Sequence, residues 1–325
     1  MNDLKRYQVQ LDQVQPWEGE VPKGYLVDFV GALTDARFRV DSGIDPAAVG
    51  GKYVQTNLPT IGDGNNGEGW FEAVNWMIAA RAARDRYVMI TLGACYGSQA
   101  VGAYRMMQML NPLPCKLVAV EPEPENFNWV ARHFRDNGLD PADHWLVPMA
   151  ISNANDPVFF PVGSPGTGAQ NCLSTNDGGA REEYAKYYIR EGRAVEALWN
   201  LLRNNTTGLT KDLVPGRGYK AEIKYMSAIT LRDLLSPLDI VDYLESDVQQ
   251  SEIIVFPPFM ELLRKKVKLV HIGTHGKETH ETLRSLFAAD GWEILFCFEP
   301  NERHISEFGS FLTNDGVLTA RNPSL

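Results

Sequence analysis

Gly93 and Gly97 stand four residues apart, between a short apolar run, Tyr87 to Leu92, and a long helical pattern. Glycines at such a junction leave bare main chain against which a ligand can lie, although a tight turn alone would also call for them. The loop fits neither common phosphate pattern. No lysine follows as in G-x-x-x-x-G-K-[ST], and Cys95 takes the place of the middle glycine in G-x-G-x-x-G. A triphosphate or a dinucleotide is therefore disfavoured. Glu121 closes the next apolar run, 24 residues after Gly97, in VAVEPEPENF. An acid at that point accepts hydrogen bonds from both hydroxyls of a ribose; a solvated strand-end carboxylate is the plainer account. Glycine loop and acid together point to an adenosine-containing ligand without a pyrophosphate.

Those residues need a scaffold, and the hydrophobic pattern supplies one. A helix is expected from Phe71 to Arg84, with Val74, Met77, Ile78 and Ala82 near one face. Residues 87–92 read as a strand and 98–110 as a helix whose polar stripe is Gln99, Gly102, Arg105 and Gln108. Strand and helix alternate again through 116–121, the helical spacing of Phe127, Val130, Ala131 and Phe134, and a strand over 145–152. Residues 161–180 are turn-rich, a charged helix is expected at about 181–203, and a second loop follows. Order resumes with strands at 239–247, 267–273 and 292–299, and helices opening near Pro258 and covering 277–290. Strands separated by helices imply a mainly parallel sheet covered on both faces. Ligands bind such sheets beyond the carboxyl ends of the strands, which singles out the loops after residues 92, 121, 151, 247 and 273.

Composition narrows the function classes. A formal net charge of -10 disfavours a sustained nucleic-acid-binding surface. The polar N-terminus lacks an apolar signal core and no run reaches membrane-span length, so a cytoplasmic protein that binds neither nucleic acid nor membrane is expected. Cys95, Cys115, Cys172 and Cys297 are widely spaced, as free thiols are.

The blocks ITLGACYG, VAVEPEPENFNWVARHF, VPMAISNANDPVFF and ITLRDLL…DIVDYLESDVQQSE occur in that order. This order resembles the FkbM-type methyltransferases, class I enzymes that use S-adenosyl-L-methionine, over about residues 70–300. The resemblance implies a Rossmann-like sheet of seven mostly parallel strands with an antiparallel last strand near 311–320. It divides the chain into an N-terminal extension (1–70) and a methyltransferase domain (71–325) carrying an insertion at about 161–226. Carried over by block, Leu92, Gly93, Ala94, Gly97 and Ser98 would run beside the methionine part of the cofactor. Glu121 would hold the ribose, Pro122 and Asn126 would shape the adenine side, and Ala150 and Ile151 would border the adenine. Glu72 would meet the amino group, or simply lie on a solvated helix face. Two departures stand out. Thr91 replaces an acid at the head of the glycine loop, and the K-x-D-x-E-G-x-E block reads Glu245, Asp247, Gln249, Gln250, Glu252.

Methyl transfer is an in-line displacement that depends on alignment, and an alcohol acceptor also gains from a positioned base. Asp247 and His275 are the candidates, since both follow strands expected to be neighbours. His271 and His280 fall inside a strand and a helix, which argues against zinc. Magnesium on Glu245, Asp247 and Glu252 suits the carboxylates better, but a plain acidic cluster is preferred and no metal is expected. The insertion, with Tyr184, Tyr187, Tyr188 and Trp199, would be an acceptor lid or a homo-oligomer contact. The expected activity is O-methylation of a small molecule, sugar or natural product. N-methylation of a peptide amide or amine is the alternative, and the departures also leave room for a non-catalytic module. An oxidoreductase would need the dinucleotide loop that Cys95 interrupts.

Overall fold

The computed structural model describes residues 4–62, 64–162, 222–249 and 251–325. Its centre is a seven-stranded sheet built from the apolar runs: β1 (Tyr87–Leu92), β2 (Cys115–Val120), β3 (Trp145–Val147), β4 (Val241–Ser246), β5 (Val267–Thr274), β6 (Glu293–Phe298) and β7 (Gly316–Arg321). The spatial order is β6-β7-β5-β4-β1-β2-β3. The pairings among β1 to β5 are parallel, whereas β7 runs antiparallel to both β5 and β6. This is the Rossmann-like order of the class I methyltransferase fold, as the block resemblance implies.

Helices cover both faces. On one lie α1 (Leu4–Leu11), α2 (Glu68–Ala82), α3 (Ser98–Leu110) and α4 (Pro124–Asp136); on the other, α5 (Met260–Lys266), α6 (Lys277–Ala289) and short helices at 231–235 and 252–255. Every residue of β1 is buried, with Tyr87 and Met89 in the first layer and Val88, Ile90 and Leu92 in the second. Such two-sided burial explains why parallel strands read as unbroken apolar runs.

Several boundaries differ from expectation. The strand expected over 145–152 is two strands. Pro148 has no N–H to give to a ladder, and after β3 the chain leaves the sheet, so Ala150–Ser152 pairs in parallel with Ala228–Thr230. The helix expected to open near Pro258 is entered through a 3₁₀ turn, Pro257–Phe259, which joins the 252–255 helix to α5 at Met260. The last strand begins at Gly316, because residues 309–313 form a hairpin with Glu302–Ser306. Helix α2 is buried nearly all round, and Ala82, expected on its inner face, is exposed. Gly102, expected in a polar stripe, is buried because the Trp76 ring lies where its Cβ would be.

The N-terminal segment joins the same core: Leu4, Tyr7 and Leu11 pack with α2 and β1 side chains, and the Tyr7 ring meets Phe296 edge-on at 5.0 Å. At the insertion, Val158–Val162 and Glu222–Met226 form an antiparallel ribbon. The expected helix at about 181–203, its aromatic residues and Cys172 lie outside the described residues. Cys95, Cys115 and Cys297 are free thiols. Among the described residues, no helix is long and apolar enough to cross a membrane.

Candidate functional site

At the carboxyl ends of β1, β2 and β4, three loops meet. Gly93 turns the chain at φ 77° and Gly97 at φ 88°, while Cys95 between them adopts the left-handed region at φ 52°. The backbone thus takes at Cys95 a conformation that normally calls for glycine. The amides of Gly93 and Ala94 both donate to the Val120 carbonyl at 3.0 Å. The Asp247 amide donates to the Leu92 carbonyl at 2.9 Å, and a Cβ on Gly93 would sit 2.0 Å from the Asp247 carbonyl oxygen. Only glycine permits that approach.

Glu121 is buried just beyond β2, at 4% exposure. Its Oε2 accepts from the Cys95 amide at 2.7 Å and its Oε1 from the Glu123 amide at 2.8 Å. Glu123 in turn caps α4 through the Asn126 amide at 2.7 Å. Burial pushes the Glu121 carboxyl up to about 8, against the pull of those two amides. The carboxylate borders an open cavity walled by Pro122, Asn126, Ala150, Ile151 and Phe160, with Asp247 also on its lining. A mainly apolar wall with a carboxylate fixed at its rim suits a nucleoside.

Past Gly93 and Asp247 the space opens into a second chamber, reached by Ala94, Ser98 and Glu72 from the expected set. Phe38 and Arg39 close one side of it, and Glu68, Asp315 and Gly316 another. Arg39 donates to the Tyr96 hydroxyl at 3.0 Å and stacks over that ring. Glu72 is hydrogen-bonded by Gln99, and desolvation raises its carboxyl to about 7. Two expected residues line neither chamber. The Leu92 side chain belongs to the core, and Gly97 packs against Val130 as the N-cap of α3.

Both departures from the family pattern sit side by side. Thr91 and Glu245 are partners in the β1–β4 register and both are buried. The Thr91 hydroxyl donates to the Glu245 carboxyl, whose acidity burial suppresses well beyond the ordinary range. An acid at 91 would oppose an acid at 245; threonine satisfies it. Glu245 is thereby committed to Thr91 and stands apart from the cation set considered for Glu245, Asp247 and Glu252.

Asp247 and His275 do come together, after the neighbouring strands β4 and β5. His275 Nε2 lies 3.3 Å from Asp247 Oδ1 and 3.2 Å from Asp315 Oδ1, and its Nδ1 lies 3.3 Å from Glu252 Oε1. Burial works against charge on this imidazole, yet hydrogen bonds to Asp315 and Glu252 and the charges of Glu252 and Asp247 raise it well above the usual histidine range. Asp315 was not legible in advance. Its loop is fastened by Glu68, whose Oε1 accepts from the Asn314 amide at 2.6 Å and the Asp315 amide at 2.9 Å. His271 instead shares a hydrogen bond with Thr319 at 3.0 Å, although it also lines the second chamber, and His280 is bonded to Thr274 at 2.8 Å as a packed core histidine.

The sequence matches no protein-family model and no curated protein. Among solved structures, the chain is similar to precorrin-6y C5,15-methyltransferase from Geobacter metallireducens GS-15, at 13% identity and TM-score 0.35, over 81% of this chain and 94% of that one. It is also similar to methyltransferase FkbM from Methylobacillus flagellatus KT, at 10% identity and TM-score 0.39, over 74% of this chain and 45% of that one. A third is fibrillarin from Aeropyrum pernix with natively bound S-adenosyl-L-methionine, at 11% identity and TM-score 0.32, covering 75% and 76%. At those scores the overlaps add no argument. The sheet order carries the fold, and the residues around the two chambers carry the function.

Proposed function

We propose that this chain is an S-adenosyl-L-methionine-dependent methyltransferase of FkbM type that methylates an oxygen of a small molecule, sugar or natural product. The observation that carries the reading is the buried Glu121 carboxylate. It is fixed by two backbone amides on the lining of the first chamber, where it can accept from both ribose hydroxyls. The main chain from Gly93 to Cys95 would flank the methionine part. Arg39 and Glu72, both on the wall of the second chamber, have the charges to meet its carboxylate and amino groups. The cofactor supplies an electrophilic methyl group. The chain's task is alignment, and Asp247, which lines both chambers, stands where donor and acceptor would meet.

Titration calorimetry with S-adenosylmethionine and, separately, with a nicotinamide dinucleotide tests the ligand class. Binding of the first alone is expected. Glu121→Ala should weaken it by about 1.5–3 kcal/mol, the range for a hydrogen bond to a charged group. Unchanged affinity in that variant would remove the ribose contact, and preference for the dinucleotide would end the reading. Release of S-adenosylhomocysteine in the presence of acceptor mixtures separates an enzyme from a module that only holds the cofactor.

A further inference from the structure

Asp247, His275 and Asp315 each offer one ligating atom, and the three atoms lie within 4.8 Å of one another; both aspartates line the second chamber. We propose that these three side chains form a binding site for a divalent cation of the magnesium or manganese class, and that the ion holds an acceptor bearing two adjacent oxygens. The site stands on this geometry alone; the acceptor's role rests on the methyltransferase reading.

These contacts are those of a charge cluster that an ion can enter. His275 Nε2 lies 3.3 and 3.2 Å from the two aspartates, longer than the about 2.7–2.9 Å to which a charge-assisted N–H···O bond closes. Neighbouring ligands on an octahedron with metal–ligand distances of about 2.1 Å are about 3.0 Å apart. An ion therefore needs little movement of these side chains to replace the hydrogen bonds that His275 makes in its absence.

Glu252 gives an independent sign. It is fully buried, and its Oε1 faces His275 Nδ1 at 3.3 Å while accepting from the Val248 amide at 2.9 Å. A carboxylate behind a ligating histidine accepts a hydrogen bond from Nδ1–H and leaves Nε2 as the ligand, the usual outer partnership of a metal-binding imidazole. Its other oxygen, Oε2, is buried without a hydrogen-bond partner among the described residues, so the carboxylate is held there at a cost that a nearby cation would offset. Gln249 completes the rim. Its amide lies 2.9 Å from Asp247 Oδ1 and 2.7 Å from His275 Nε2, and turned over it offers a fourth ligand, an oxygen. Two carboxylates and an imidazole suit manganese or magnesium rather than a thiolate-seeking metal. Octahedral coordination then leaves open positions on the chamber side, where an acceptor with vicinal oxygens can chelate.

Manganese is the direct probe. Chelator-treated full-length protein should bind one Mn²⁺ by electron paramagnetic resonance titration, with modulation from a coordinated imidazole nitrogen in the pulsed spectrum. Asp315→Asn and His275→Gln should each weaken binding at least tenfold, and the nitrogen modulation should vanish in His275→Gln. Glu261→Gln, at an exposed residue of α5 that pairs with Lys265, should change nothing. Absence of a bound ion, or an ion that both cluster variants retain unchanged, overturns the site, and a bound ion without the nitrogen signature does the same. The spectrum of the unaltered protein answers even if a variant fails to fold. Because S-adenosylmethionine binding is measured without metal, loss of the cofactor reading alone would leave this site standing, and the reverse holds too.

Discussion

At the scale of single residues, Glu121 carries the most consequence. A carboxyl raised to about 8 in the folded, ligand-free protein favours folding fully below its unfolded value near 4.5, and that contribution is lost as pH rises through about 8. The free protein's melting temperature should therefore fall across that window, and Glu121→Gln should flatten the fall. Ribose hydroxyls donate best to the ionised form, so cofactor affinity should rise with pH up to about 8, with up to one proton released on binding. Calorimetry in buffers of different ionisation enthalpy measures that proton; none released near pH 7 would contradict the assignment. Asp247→Asn should lower turnover far more than cofactor affinity, and equal losses would take Asp247 out of the acceptor chemistry. Glu121, Asp247 and His275 were legible because each ends or follows an apolar run in an alternating pattern. Asp315, Phe38 and Arg39 were not. They reach the site from a hairpin exit and a short 3₁₀ helix, Ala36–Ser42, where no sustained periodicity marks the residue that faces inward.

At the scale of elements, the glycine loop is a fixed object rather than a flexible one. Gly93→Ala would force a Cβ into the left-handed region, at about 1–2 kcal/mol, and against the Asp247 carbonyl, where overpacking adds about 1–3 kcal/mol. Chemical denaturation should show a loss of about 2–5 kcal/mol. Cys95→Gly should instead be tolerated, because its backbone already sits where glycine is at ease. The loop was visible in the sequence as two glycines after a strand, but its true pattern, with Cys95 bent the same way, was hidden behind a side chain. Pro148 misled in the opposite sense: an apolar run of the right length conceals a strand change when one residue lacks its amide hydrogen. Helix α2 likewise hid its burial on nearly every side behind a single inferred face.

At the scale of the whole molecule, the first residues belong to the core of the sheet domain rather than to an appendage. Leu4, Tyr7, Leu11 and Val14 are all buried, and Trp70 donates to Gln8 at 2.7 Å. At about 1.5–3 kcal/mol for each such side chain, removing residues 1–14 forfeits about 6–12 kcal/mol, comparable to the whole stability of an ordinary domain. The shortened chain should fail to show a cooperative thermal transition by circular dichroism; a sharp transition near the full-length temperature would refute the estimate. The seven strands and their order were readable because parallel strands buried on both sides leave uninterrupted apolar runs. The N-terminal contribution was not, because the short amphipathic helix α1 becomes meaningful only against α2. One contact also has a dynamic corollary. With the Asp247 amide hooked on Leu92 and its carbonyl pressed to Gly93, the two halves of the cleft are riveted together, so a guest on one side cannot settle without tightening or loosening the grip on the other. By thermodynamic reciprocity, whatever factor the first guest imposes on the second is returned in full.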